Sequence, residues 1–188
     1  MAASRRIFDV FSYIIALGSN RRHGLYGAPH RVLAAALCAM SDAGLALLRV
    51  SPIIHSRPLG PSLGGYANGA VVAETGLSPP EILHLLKKIE GQFGRRRGGQ
   101  RWAARVLDLD IILWSGGTYR ADNLQIPHVE FRQRGFVLGP IREIAADWRD
   151  PMSHLSVNQL YARLTKRPML LRGRRGGARS SVGRATDF

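Results

Sequence analysis

Apolar runs and helical periodicities alternate along the chain in the order β-α-β-β-α-β. That order predicts an α+β fold: a ferredoxin-like βαββαβ antiparallel sheet with helices on one face, plus a C-terminal helical extension. Three observations carry the prediction. Short strand-like runs are closed by glycine, two stretches repeat with a helical period, and the second of these opens on a capping signature.

Residues 13–17 form an Ile-rich run closed by Gly18 and read as a buried strand. Residues 29–43 follow with Val32, Leu33, Ala36, Leu37 and Met40 at helical spacing, Pro29 near the start and Gly44 just past the end. Cys38 lies inside this run and is expected to be a small buried core residue. Residues 45–54 are of β type, residues 57–65 a loop loaded with Pro and Gly, and residues 66–74 a third strand. In Ser78-Pro79-Pro80-Glu81 an N-cap serine precedes a glutamate by three residues, and Ile82, Leu85, Leu86 and Ile89 share one helical face up to about Phe93. A Gly/Arg loop spans residues 94–100, and residues 106–114 read as the fourth strand. A second loop over residues 115–133 leads to Gly135-Phe136 and a helical region through Asp147.

The 188 residues suit one domain, and 45% hydrophobic content is enough for a packed core. The expected organisation is a lead-in over residues 1–11, the domain over 12–167 and a basic, disordered tail over 168–188. The formal charge is +14, and the last 23 residues hold seven Lys or Arg against Asp187 alone. Such basic runs suit either a solvated surface or a polyanionic ligand, and composition does not separate the two. A single cysteine excludes an internal disulfide and a zinc site built on several thiolates. No apolar run approaches the roughly 20 residues a membrane span needs. A cytoplasmic protein without a membrane partner is the expectation, and a monomer is expected.

The strongest chemical signal is Arg105-Val106-Leu107-Asp108-Leu109-Asp110-Ile111. Residues two apart on a strand face the same way, so Asp108 and Asp110 share one face while Leu107, Leu109 and Ile111 take the core side. Two neighbouring carboxylates raise each other's pKa unless a cation lies between them, and carboxylate oxygens are the ligands Mg²⁺ prefers. The Gly/Arg-rich segment before the pair supplies Arg95, Arg97, Arg101 and Arg105, whose planar donor forks match phosphate. Arg134 and His128 lie further on. No Gly-x-x-x-x-Gly-Lys-Ser/Thr run is present, which excludes a P-loop kinase.

Taken together these residues resemble the 2-amino-4-hydroxy-6-hydroxymethyldihydropteridine pyrophosphokinases. The resemblance begins at Ala16-Leu17-Gly18-Ser19-Asn20 and continues through Pro58-Leu59-Gly60-Pro61 and Tyr66-Ala67-Asn68. Its most specific stretch is Arg101-Trp102-Ala103-Ala104-Arg105-Val106-Leu107-Asp108-Leu109-Asp110, and Pro127-His128 and Arg134-Gly135-Phe136 complete it. It implies transfer of diphosphate from ATP to 6-hydroxymethyl-7,8-dihydropterin, in folate synthesis, with two Mg²⁺ ions held by Asp108 and Asp110. It further implies that Arg95 and Arg105 clamp phosphates and that Glu90, Arg97, Arg101, Trp102, His128 and Arg134 surround the nucleotide. The pterin would fall to Tyr66 and Phe136 as stacking rings, to the Asn68 amide, and to backbone near Ser56 and Leu59.

The chain departs from the family pattern at Arg57, Ala103-Ala104, Asn123 and Val129. None of them removes a metal ligand. An RNA-binding domain is the alternative from another class, since a basic four-stranded sheet suits one. The chain lacks an RNP1-like run, and two acids on the binding face would repel phosphate, so no nucleic-acid partner is expected.

Overall fold

The computed structural model describes residues 10–56, 65–94 and 106–166. The lead-in up to residue 9, most of the Pro/Gly loop, the Arg-rich segment 95–105 and the basic tail lie outside the described residues. Five strands build an antiparallel sheet, four in the order β2-β4-β1-β5 and β3 paired to β4 off that path. These are β1 (Phe11–Ser19), β2 (Ala46–Val50), β3 (Ile54–Ser56), β4 (Tyr66–Thr75) and β5 (Asp108–Trp114). The helices are α1 (Pro29–Asp42), α2 (Pro79–Gln92), α3 (Gly135–Ala145) and α4 (Val157–Thr165).

The alternation of each strand sorts its side chains between two cores. Tyr13, Ile15 and Leu17 of β1 join Ala67, Val71 and Ala73 of β4 and the apolar faces of α1 and α2. Ile14 and Ala16 point the other way, with Ala70 and Val72, into a second core closed by Leu138, Ile141 and Leu160 of α3 and α4. The C-terminal helices therefore cover the opposite face, where the sequence pattern had placed helices on one face with a trailing extension. The apolar stripes of α3 and α4 need a partner surface, and the second face of the sheet supplies it. This mixed α/β architecture has helices on both sides of its antiparallel sheet.

The second predicted strand is split. Ser51 donates its N–H to the Ala70 carbonyl and accepts from the Ala70 N–H through its hydroxyl, both at 2.9 Å. Pro52, which has no N–H, breaks the ladder between β2 and β3 and blunts an exposed edge. At α2 the capping signature holds, with the Ser78 N–H donating to the Glu81 carboxylate at 2.8 Å. Cys38 is exposed, contrary to expectation. The buried positions of α1 are Val32, Leu33, Ala36 and Met40, and Cys38 lies two residues from each of the last two, on the far side of the helix. The predicted 115–133 loop contains a hairpin, β6 (Tyr119–Ala121) and β7 (Leu124–Ile126), joined by Asp122 and Asn123. Among the described residues no helix is long and apolar enough to cross a membrane.

A buried ion pair ties the segment before α3 to the turn before α4. Arg132 donates from Nε and Nη2 to the two Asp150 oxygens at 2.7 and 2.6 Å, and Asp150 also accepts from the Met152 and Ser153 N–H groups at 3.2 Å. Burial raises the Asp150 pKa, but the Arg132 and Ser153 hydrogen bonds outweigh it and hold the carboxyl at about 2. This contribution to stability is fully present above the unfolded value near pH 4 and is lost as the pH falls through about 2. Asp150→Asn is expected to cost about 3 kcal/mol at pH 7 and to flatten the loss of stability between pH 4 and pH 2, measured by urea unfolding. An unchanged acid limb in the variant would contradict the assignment.

Candidate active site

The register across three strands assembles one row of side chains. Gly18 of β1 stands opposite Asn68 of β4 on one side and opposite Asp108 of β5 on the other. Directly opposed residues share a face, so Asn68 and Asp108 flank Gly18 on the side of the second core. A Cβ at Gly18 would lie 3.8 Å from Asn68 Oδ1 and 3.9 Å from Asp108 Cβ. The glycine therefore keeps side-chain bulk out of the gap between an amide and a carboxylate. One row inward, Ala16 stands between Ala70 and Asp110. Tyr66 shares the face of Asn68, and Ser56 of β3 pairs opposite Tyr66. Phe136, in the first turn of α3, packs against the rim of the second core.

A bulge in β5 positions the next group. Ile14 pairs with Leu113 and Ile15 with Ile111, which leaves Ile112 as the extra residue. Ile112 and Leu113 both enter the second core. The Ile112 carbonyl accepts from the His128 N–H at 3.1 Å and docks the chain that follows β7 beside Asp110. His128 Nε2 then lies 4.0 Å from Asp110 Oδ2. Its Nδ1 accepts from the Glu130 N–H at 3.2 Å, so the neutral ring carries its proton on Nε2, the nitrogen facing Asp110. The Arg132–Asp150 pair holds this same segment from behind, and Arg134 ion-pairs with Glu130.

The electrostatics follow from that crowding. Burial and then the charge of Asp108 raise the Asp110 pKa, against partial relief from His128, Lys87 and Arg134. Burial lowers the His128 pKa, Asp110 opposes the shift, and Arg134 adds to it. Two carboxylates held together with one of them pushed toward protonation form a site that a cation would relieve. Among the described residues no group of three or more His, Cys, Asp or Glu is arranged to hold a metal. A two-carboxylate site suits Mg²⁺, which keeps water or takes substrate phosphates for the rest of its shell, and does not suit a closed zinc centre.

Beside Asp110 opens a cleft of about 640 Å³ between α2 and the β6–β7 hairpin. Lys87, Asp110, Arg120, Asp122, Asn123, Gln125 and His128 supply its polar lining, and its apolar part includes Leu83, Leu109 and Val129. Asn123 and Val129, two of the departures, thus both line it. Arg95, Arg97, Arg101, Trp102, Arg105 and Leu59 lie outside the described residues, as do Arg57, Ala103 and Ala104. Glu90 is not on the cleft surface. It is fully buried and accepts from the Leu109 N–H at 2.8 Å.

Sequence reasoning missed Gly18 as a floor, and Lys87 and Glu130 as partners. A glycine inside a strand that continues to Ser19 was the available signal for the first. Only the fold reveals the other two.

Comparison with known proteins fits this arrangement. Residues 14–146 match the family model for 7,8-dihydro-6-hydroxymethylpterin-pyrophosphokinase. A 2-amino-4-hydroxy-6-hydroxymethyldihydropteridine pyrophosphokinase of Synechocystis is 43% identical over 118 residues, covering 63% of this chain and 60% of that protein. Proteins of the same name from Haemophilus influenzae and Pseudomonas aeruginosa are 40% and 37% identical, covering 75% and 73% of this chain and 86% and 82% of theirs. The crystal structure of Plasmodium falciparum wild-type HPPK-DHPS aligns with a TM-score of 0.64 at 14% identity, over 82% of this chain and 41% of that one. That last likeness bears on the fold alone. With the family model spanning most of the chain, this protein belongs to the 7,8-dihydro-6-hydroxymethylpterin-pyrophosphokinase family.

Proposed function

We propose that the chain transfers diphosphate from ATP to 6-hydroxymethyl-7,8-dihydropterin, with AMP as the second product. The single observation that carries this reading is the row Asn68–Gly18–Asp108, which sets an amide and a carboxylate either side of a glycine that carries no side chain. The Asn68 amide can donate and accept against the amide edge of the pterin, and Tyr66 and Phe136 stack on its faces. Ser56 and Leu59 contribute backbone to the remaining edge. The hydroxymethyl group then projects over Gly18 toward Asp108.

Two Mg²⁺ ions are assigned to Asp108 and Asp110; when bound they neutralise phosphate charge and activate the attacking oxygen. The pterin hydroxyl oxygen bonds to the β-phosphorus as the bond from that phosphorus to the α,β-bridging oxygen breaks; AMP departs with that electron pair, and the hydroxyl proton passes to water. His128 offers an Nε2–H donor and Arg134 a guanidinium to the phosphates, while Arg95, Arg97, Arg101 and Arg105 are assigned to the same anion. Trp102 is assigned to packing of that Arg-rich segment. The cleft along the β6–β7 hairpin is the right size and polarity for the nucleoside. The same reading treats the sheet as ferredoxin-like, supported by the strand order and by α1 and α2 lying on one face. An RNA-binding role finds no support in the family match.

Three measurements test this reading. With Mg²⁺ and ATP, the full chain is expected to release AMP only when the pterin is present and to form no ADP; pterin-independent ADP would refute it. Asp110→Ala is expected to lower the rate by about 10³-fold or more with the fold intact by circular dichroism. Near-normal turnover in that variant would end the metal assignment. Gly18→Val places methyl groups on the floor and should cost about 10²-fold in rate with little loss of stability, because a strand accepts valine.

A further inference from the structure

The family resemblance places Glu90 beside the nucleotide, but its side chain has no solvent exposure. We propose that Glu90 is a positioning residue, which sets β5 between Asp108 and Asp110 through the backbone and does not touch the nucleotide. This inference rests on the function proposed above.

The geometry is specific. Leu109 stands between the two aspartates, and its side chain is buried in the first core. Among the described residues β5 is an edge of the sheet, paired with β1 alone. On its other side no strand among the described residues offers a carbonyl to the Leu109 N–H, and Glu90 Oε1 of α2 accepts a hydrogen bond from it at 2.8 Å. A buried carboxylate from a helix thus takes the place of the missing strand at the one residue that spaces the aspartate pair. A charged acceptor makes a hydrogen bond roughly twice as strong as a neutral one, so it holds the strand more firmly than a carbonyl would.

A buried carboxylate needs a counter-charge, and Lys87, one helical turn earlier, provides it. Lys87 Nζ lies 3.2 Å from Glu90 Oε1 and 3.0 Å from Oε2. Lys87 also lines the cleft beside Asp110 and lowers the Asp110 pKa. Glu90 therefore has two effects on one side of the site. It fixes the backbone between the two aspartates, and it tethers an ammonium at the cleft wall.

Glu90→Ala and Glu90→Gln separate positioning from contact with the nucleotide. Gln keeps an oxygen that can accept from Leu109, and Ala does not. The first readout is hydrogen exchange of the Leu109 amide in the protein without metal or nucleotide, which depends on no activity. Glu90→Ala is expected to speed that exchange at least tenfold, with Glu90→Gln within a few-fold of the parent. The second readout is steady-state kinetics with ATP. Glu90→Ala is expected to lower kcat by about 10²-fold with KM for ATP nearly unchanged, and Glu90→Gln to restore most of kcat. A raised KM for ATP with normal kcat would overturn the proposal in favour of direct contact. So would a Leu109 amide as protected in Glu90→Ala as in the parent, or loss of protection in Glu90→Gln. Should Glu90→Ala fail to fold, the exchange and kcat of Glu90→Gln decide alone. Absence of diphosphate transfer in the parent would refute the proposed function, and the exchange arm would still decide the role of Glu90.

Discussion

The site depends on the register of β1 against both of its neighbours. Gly18 meets Asn68 on one side and Asp108 on the other because β1 pairs with β4 and β5 without a shift over this stretch. A slip of one residue on either strand would send one of those polar groups into the apolar core and bring Ala67 or Leu109 to the site in its place. The register is held in turn by burial. Tyr13, Ile15 and Leu17 fit only the core under α1 and α2, while Ile14 and Ala16 fit only the core under α3 and α4. Covering both faces of the sheet thus costs the strands their freedom to slide.

Within that frame the electrostatics are deliberately unbalanced. Asp108 and Asp110 stand two residues apart on an extended strand, about 7 Å along the chain, and burial adds to their repulsion. His128 and Arg134 reduce the imbalance without removing it. Both are carried on one short segment, docked at its start by the Ile112 carbonyl and braced by the Arg132–Asp150 fork. The bulge at Ile112 is therefore more than a defect in pairing, since it exposes the carbonyl on which the His128 segment rests. The negative side of the site is fixed to the sheet, and the positive side is carried by Lys87 of α2 and by the chain between β7 and α3. A cation and a polyphosphate would join the two.

Much of this was legible in the residues themselves. Alternation in 107–111 identifies the face of the aspartates, because a strand has only two faces and three large aliphatics claim one of them. The Ser78–Glu81 box marks the start of α2 by local chemistry alone. Other features have no local signal. The bulge at Ile112 arises from pairing with β1, and nothing in Ile111-Ile112-Leu113 announces it. Cys38 reads as core when counted within an apolar run, yet helical phase turns it outward. The hairpin β6–β7 has strands of three residues each, too short for periodicity to reveal. The contact of Glu90 with the Leu109 N–H depends on the edge of β5 facing α2, a property of the sheet and not of the helix that carries the residue. Features set by one element were readable, and those set by the meeting of two were not.

The central claim is that the pterin and the metal meet over Gly18. A crystal structure of the protein with 6-hydroxymethyl-7,8-dihydropterin, Mg²⁺ and a non-hydrolysable ATP analogue tests it most directly. The account predicts the pterin between Tyr66 and Phe136, its ring edge on Asn68, and its hydroxymethyl oxygen above Gly18 facing Asp108. A pterin bound elsewhere, with Gly18 uncovered and no cation on Asp108 or Asp110, would contradict it.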